Sequence, residues 1–545
     1  MCLGRLSRVA AAAAVLFLIM TFPATTIGQL SEVRVEVHDP DFIPLHSYCI
    51  GEHADRLIFF GGISKMGMHS LNQSGEITFP IEVFNPAIHV YELATGSLWS
   101  ASTATLPDDI QLALLVTNAA AFQQGDHLYL YGGYGPNLDG TNWGTRPAVT
   151  EIDLVAVHDA VVGGTAVPAS AFSIISSEAA QVAGAAIVRL GERFALIGGS
   201  KFRGNYGTRD DFSNTYRKEL QIFDPRVSWT APVEVFSDPE LRRRDMNASP
   251  ITIPVGGTPT PGLAVHTGVF QPDAPLPWDY PILYADGQTP YLDTAFYQRM
   301  NQYTAPRVSL YSERLGRNCL LTFGGLSSHM WDGAYFVPNF AIPWVDEITQ
   351  LTVENGFFVD ESVIGEAPKA IVDAEFVVNP DLPTNAGGQI LLDGIPAGET
   401  LLGYYLGGVV ADQPANAPPT TAGRVVYAVY ATVDHGGPIL VTSDFVIGEV
   451  ATMTVEGAEP GARVAFAYSL FGAGPTFVPS IGMEVDLSRP IYRGGHGYAN
   501  SNGTVSIVRS IPDHLSPRPL WIQAVMAPAN GDAVKTNLVK ADLRY

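Results

Sequence analysis

Cysteine is scarce: the 545 residues hold three. Cys2 lies at the very start, which leaves Cys49 and Cys319 in the body of the chain. Two cysteines allow one disulfide and exclude a disulfide framework. No cysteine–histidine cluster has the spacing of a zinc site, and no cofactor is implied. Charge is also thin, at 16% of residues, and positive charge thinnest of all. Lys and Arg number 31 against 54 Asp and Glu, for a net charge of -23. So acidic a surface argues against binding nucleic acid or an anionic membrane. Long apolar runs are missing after the N-terminus. "LLGYYLGGVVA" at 401–411 comes nearest, but it is short of the roughly 20 residues a spanning helix needs, and glycines interrupt it.

Apolar residues make up 46% of the chain, ample for a core. Glycine (54) and proline (40) punctuate short apolar runs, which favours an all-β chain. The opening "MCLGRLSRVAAAAAVLFLIMTFPATTIGQL" has Arg5 and Arg8 before an apolar stretch from Val9 to Phe22, then small residues. Residues 1–28 therefore read as a secretory signal peptide, with cleavage after Gly28. Cys2 precedes the apolar stretch and is not placed for lipid attachment. The expected location is secreted or periplasmic, with no membrane contact after cleavage.

One pattern recurs. "RLIFFGGIS" (56–64), "HLYLYGGYG" (127–135), "RFALIGGSK" (193–201), "NCLLTFGGLS" (318–327) and "GYYLGGVV" (403–410) are apolar strands ending in a glycine pair. The pairs are Gly61-Gly62, Gly132-Gly133, Gly198-Gly199, Gly324-Gly325 and Gly407-Gly408. A looser copy, "PILYADGQ" (281–288), has Asp286-Gly287 in that place. Repeats must be weighed before any single-motif reading. Upstream of most pairs lies another apolar strand and a tight turn, as in "NAAAFQQGDHLYLYGG", which reads as a hairpin. Downstream, after a variable loop, comes a third strand, for instance "AIHVYELATGSLW" (87–99), "TEIDLVAVHD" (150–159) or "KELQIFDPRVSW" (218–229). The glycines lead into loops and strands, not into a helix, so they are not phosphate cradles.

Strand, turn, strand-Gly-Gly, loop, strand, turn, Trp resembles the kelch-type β-propeller family, in which each unit is a four-stranded blade around a central axis. The resemblance implies about six blades over 29–440, with "EVRVEVHD" (32–39) pairing into the last blade and closing the ring. The expected blade spans are 47–103, 110–178, 180–250, 260–302, 303–368 and 370–437. Long loops follow the pairs at 62–86, 133–148 and 199–217, and such loops on a rigid scaffold are where binding tends to sit. From about 440 the pattern changes. "EPGARVAFAYSLFGAG", "ANSNGTVSI" and "LWIQAV" resemble an immunoglobulin-like β-sandwich module appended to many exported bacterial proteins, here 441–545. The expected fold class is thus all-β, a propeller followed by a sandwich.

Chemistry is less legible. A kelch propeller with a sandwich also resembles galactose oxidase and its copper-radical relatives, which need imidazole and phenolate ligands and a cysteine–tyrosine cross-link. Cys319, His266, His329 and His496 are isolated candidates for such a set, but Cys319 sits where other repeats have strand residues and reads as core. "ELRRRDMNASP" (240–250) concentrates arginine in an acidic chain. Arg244 could line a mouth that captures a carboxylate, or the run could be a salt-bridged blade connection. "FYQRMNQYTAPRVSLYS" (296–312) interleaves Tyr297, Gln298, Asn301 and Tyr303, a mixture of rings and amides suited to sugars or to plain strand packing. With His266, these are the candidate ligand residues. Asp210, Asp211, Asp279 and Asp332 lie in loops beside aromatics, and no catalytic pair can be assigned among them. Two functions stay open: an exported non-catalytic protein presenting loops to an extracellular polysaccharide or cell-surface protein, or a propeller-type carbohydrate-active enzyme (an epimerase or mutarotase, a lyase, or a copper oxidase).

Overall fold

Hairpins around the glycine pairs grow into a series of small antiparallel sheets. The computed structural model describes residues 29–69, 77–207, 212–274, 276–396, 398–434, 437–479, 481–527 and 533–545. The signal segment 1–28 and the loop carboxylates Asp210 and Asp211 lie outside the described residues. The chain divides into two units, Leu30–Val433 and Asp434–Tyr545.

The first unit is a β-propeller. Blade one is the four-stranded sheet Cys49–His53, Arg56–Phe60, Ala87–Glu92 and Ser97–Ser102. Blade two runs Ala120–Gln124, His127–Tyr131, Ala148–Asp153 and Phe172–Ser176. Blade three runs Ala186–Leu190, Arg193–Ile197, Glu219–Phe223 and Glu234–Ser237. Blade four is Ala248–Val255, Thr258–Val265, Ile282–Ala285 and the short Tyr291–Leu292. Blade five is Arg307–Ser312, Arg317–Leu326, Trp344–Glu354 and Phe357–Glu366. The sixth sheet takes Glu375–Val378, Gly398–Leu406 and Val426–Asp434 from one end of the unit and Gln29–Asp39 from the other.

Two details differ from the sequence reading. "TEIDLVAVHD" is not one strand: the chain leaves Ala148–Asp153 and enters the helix Leu154–Val162, because the Asp153 side chain accepts from Ala156 N–H and caps it. In blade four, "PILYADGQ" is the third strand, and Asp286-Gly287 is not the pair. Val269 bridges to Arg244 as Tyr134 bridges to Thr117 and Ser200 to Ala183, so Thr267-Gly268 holds that place. The innermost strand, Ala248–Val255, carries Pro250 and Pro254, which hid it, so the expected span 260–302 starts too late.

Backbone geometry explains the glycines. Gly132 has φ +67°, and a Cβ there would lie 2.2 Å from Val182 O in the lead-in to the next blade. Gly133 N–H donates to that same carbonyl at 2.8 Å. Gly199 repeats the bond with Arg243 O (2.7 Å), Gly62 with Val116 O (2.8 Å) and Gly408 with Leu45 O (2.9 Å). A glycine pair is therefore a blade-to-blade contact made of main chain.

In the second unit, Ile439–Thr442, Val450–Glu456 and Val505–Ser510 form one sheet. Phe445–Val446, Val539–Arg544, Arg518–Ala527, Arg463–Ser469 and Tyr492–Tyr498 form another. Leu440, Met453, Val455 and Ile507 from the first share a core with Val464, Phe466 and Ile522 from the second. Among the described residues no helix is long and apolar enough to cross a membrane.

Candidate functional site

Just ahead of each innermost strand, one residue takes the left-handed conformation. These residues are Ser47 (φ 52°), Asn118 (53°), Gly184 (65°), Asp245 (48°), Thr304 (58°) and Asp373 (53°). Their main chains join in a ring: Asn118 N–H donates to Ser47 O (3.1 Å), Gly184 to Asn118 O (2.9 Å), Asp245 to Gly184 O (2.8 Å) and Asp373 to Thr304 O (2.7 Å). Ser47 N–H donates to Asp373 O at 3.4 Å and joins the last sheet to the first. Only the Asp245–Thr304 step lacks such a bond among the described residues.

This ring borders two chambers. All six residues line both an upper chamber of about 300 Å³ and a lower one of about 200 Å³. The upper chamber is walled by the segments that follow the glycine pairs. Tyr134–Pro136 and Trp143–Thr145 of blade two join Ser200–Arg203 and Ser213–Tyr216 of blade three in a further four-stranded sheet. Trp143 Nε1 donates to Phe79 O (3.0 Å), and Tyr134 OH donates to Gly204 O (2.9 Å) while accepting from Tyr206 N–H (2.9 Å). These bonds fix an aromatic wall of Phe79, Tyr134, Phe202 and Tyr206.

The three arginines divide the work. Arg242 lies 3.9 Å over the Tyr216 ring and donates to Phe270 O. Arg243 is fully buried and donates to the carbonyls of Glu240 (3.0 Å), Thr267 (3.4 Å) and Tyr280 (2.7 Å). Burial pushes its pKa down to about 9. Neither is held by a carboxylate. Arg244, only 6% exposed, lines the upper chamber. Its Nη2 donates to Tyr206 OH at 3.0 Å, and its guanidinium stands 4.9 Å from the Phe270 ring and 5.2 Å from the Phe202 ring. Nε is 3.2 Å from Asp245 Oδ2 but misaligned, and it makes no hydrogen bond. Burial opposes the Arg244 charge; Asp245, Tyr206 and Tyr216 outweigh that and hold it positive.

The floor and flank can titrate. Burial, and then the charge of Asp245, push the Asp373 carboxyl up to about 7. Ser47 Oγ is 2.8 Å from Asp373 Oδ2 and 2.9 Å from His46 Nδ1, while His46 Nε2 meets Met66 O at 3.0 Å. Burial lowers His46 to about 4, and burial with Arg244 does the same to His69. Both imidazoles are neutral at neutral pH.

Of the residues singled out by sequence, Arg244 and Tyr303 meet in this chamber. Gln298 and Asn301 are buried between blades four and five: Gln298 Nε2 donates to Met300 O (3.0 Å) and Asn301 Nδ2 to Trp278 O (2.8 Å). His266 is buried beside Ser249 Oγ (3.0 Å), and burial drives its pKa down to about 3. Tyr297 stands at the surface, 43% exposed, near Asp279 and His329. Asp332 accepts from Ala334 and Tyr335 N–H and caps a turn. Cys319 packs in the core with Leu310, Leu321 and Phe323. Cys49 and Cys319 are both free thiols. Among the described residues no three His, Cys, Asp or Glu side chains gather as a metal site of those donors would require.

Ser47, Asp245 and Asp373 escaped sequence reasoning. A signal existed: Ser47, Asn118 and Gly184 each stand fourteen residues before the first glycine of their blade's pair. Residues tolerant of the left-handed region at a fixed offset mark the axis.

No protein-family model matches this chain, and no curated protein does. Solved structures similar to it include that of YjhT, at 13% identity and TM-score 0.40, over 72% of this chain and 99% of that one. A fungal alcohol oxidase of the AA5 family, in complex with copper, is similar at 11% identity and TM-score 0.36, over 95% of this chain and 100% of that one. A Trypanosoma rangeli sialidase in complex with sialic acid is similar at 10% identity and TM-score 0.33, over 94% of this chain and 87% of that one.

Proposed function

We propose that this is an exported kelch-type propeller that binds one acidic sugar residue in its upper chamber, with the C-terminal unit as a sandwich spacer. Arg244 carries the reading. It is a charged guanidinium, nearly buried, caged by rings and lacking an aligned carboxylate partner. A ligand carboxylate would supply the missing acceptor, and the sugar faces would stack on Tyr134, Phe202 and Tyr206. A volume of about 300 Å³ suits a single residue rather than a chain. The direct test is calorimetric titration with glucuronate and galacturonate against glucose and galactose. The acids should bind and the neutral sugars should bind at least tenfold more weakly. Equal affinity for both kinds would sink the reading. Export is tested by sequencing the N-terminus of the secreted protein, which should begin at Gln29.

A second reading is supported by Asp373, whose carboxyl near neutrality in the chamber floor suits proton transfer. The protein would then be an enzyme of the epimerase or mutarotase kind. Anomer or epimer exchange followed by NMR separates the two: turnover that Asp373→Asn abolishes favours the enzyme, and binding without turnover favours the carrier.

A further inference from the structure

The lower chamber has a chemistry of its own. Ala119, Ala120 and Ala121 of blade two and Ala185 and Ala186 of blade three make a wall of small side chains. Across the axis stand Arg307 of blade five and Glu375 of blade six, and the ring carboxylates Asp245 and Asp373 line the same chamber. Arg307 is anchored by Nε, which donates to Ala248 O at 2.9 Å. Its two Nη groups have no hydrogen-bond partner among the described residues. Glu375 likewise accepts no side-chain hydrogen bond among them. Each feels the charge of the other, but they form no ion pair. Arg307 is half-buried and Glu375 is exposed, so water reaches both charges, and a molecule that carries an anion and a cation can replace that water on both at once.

We propose that the lower chamber binds a small amino acid, its carboxylate on the Arg307 Nη groups, its ammonium on Glu375 and its side chain against the alanine wall. The alanines limit the ligand to a short side chain. Arg307 and Glu375 do not line the upper chamber, so this binding does not depend on the acidic-sugar reading.

The test is calorimetry and thermal denaturation of the mature full-length protein with glycine, alanine and serine. Propionate and ethylamine serve as single-charge controls, and tryptophan as a bulky one. At least one small amino acid should bind saturably at millimolar concentration or below and raise Tm. Propionate, ethylamine and tryptophan should each bind at least tenfold more weakly. Arg307→Gln and Glu375→Gln should each abolish saturable binding. The proposal is overturned if none of the three amino acids binds the wild-type protein, or if a single-charge control binds as well. The wild-type comparison with the controls decides the matter even where a variant does not fold.

Discussion

Ser47 Oγ lies 2.8 Å from Asp373 Oδ2, and its one proton can go either there or to His46 Nδ1, 2.9 Å away. His46 is neutral, and its Nε2 proton serves Met66 O. Its Nδ1 is then a bare acceptor that needs the Ser47 proton. Asp373 must in turn donate to Ser47, so the three groups are fully matched only while Asp373 is protonated. That agrees with a carboxyl pushed up to about 7 by burial and by Asp245.

Stability should follow this proton. A carboxyl raised from 3.8 to about 7 binds its proton more tightly folded than unfolded. Its contribution is full below the unfolded value and is lost as pH rises through the folded one. The upper bound is about 4 kcal/mol at ~1.4 kcal/mol per unit, reduced by the cavity surface that Asp373 keeps. Thermal melts from pH 4 to 8 should show Asp373→Asn gaining on the wild type as pH rises, most at pH 8. A constant difference across that range would contradict the assignment.

Ligand affinity should carry the same signature with an anion. Deprotonating Asp373 adds a negative charge to the chamber floor while Arg244 stays charged. Glucuronate binding should weaken up to about tenfold, ~1.4 kcal/mol, between pH 6 and pH 8. In Asp373→Asn the profile should be flat. The check is calorimetry at the two pH values.

Gly132→Ala should be among the worst single substitutions in the blades. The new methyl meets Val182 O at 2.2 Å and the residue must hold φ +67°. A loss of about 3 kcal/mol or more is expected from strain and the displaced blade contact. Gly125→Ala has a similar φ of +55° but open space around it, and should cost only about 1 kcal/mol. Urea denaturation of the two variants measures the contrast.

Cys49 and Cys319 should be silent thiols. Burial raises both, Cys319 to about 11, and neither has a partner thiol. A thiol reagent at pH 8 should label neither residue until denaturant is added. Rapid labelling of the folded protein would show that the blade core is open.

The glycine-pair strands were plain in the sequence because a left-handed main chain touching the next blade admits no other residue cheaply. His127–Tyr131 and Arg193–Ile197 stand where the pattern puts them. Blade four was obscured because Thr267-Gly268 replaces the pair and prolines interrupt Ala248–Val255. Arg244 stood out through its two arginine neighbours, yet only the fold shows that Arg243 holds carbonyls while Arg244 faces a cavity. Asp373 was invisible. Ser47 lies 326 positions away, and the closure that unites them is a property of the whole ring. Gln298 and Asn301 misled because amides that suit a sugar also suit buried carbonyls.

The central claim is that Arg244 holds a sugar carboxylate, and titration of glucuronate into wild-type protein, Arg244→Lys and Arg244→Leu at pH 6 tests it most directly. Saturable binding is expected for the wild type, with a loss of at least tenfold in the lysine variant, which lacks the planar fork, and a larger loss in the leucine variant. Glucose should be insensitive to both substitutions. Glucuronate binding that survives Arg244→Leu in a folded protein would contradict the account.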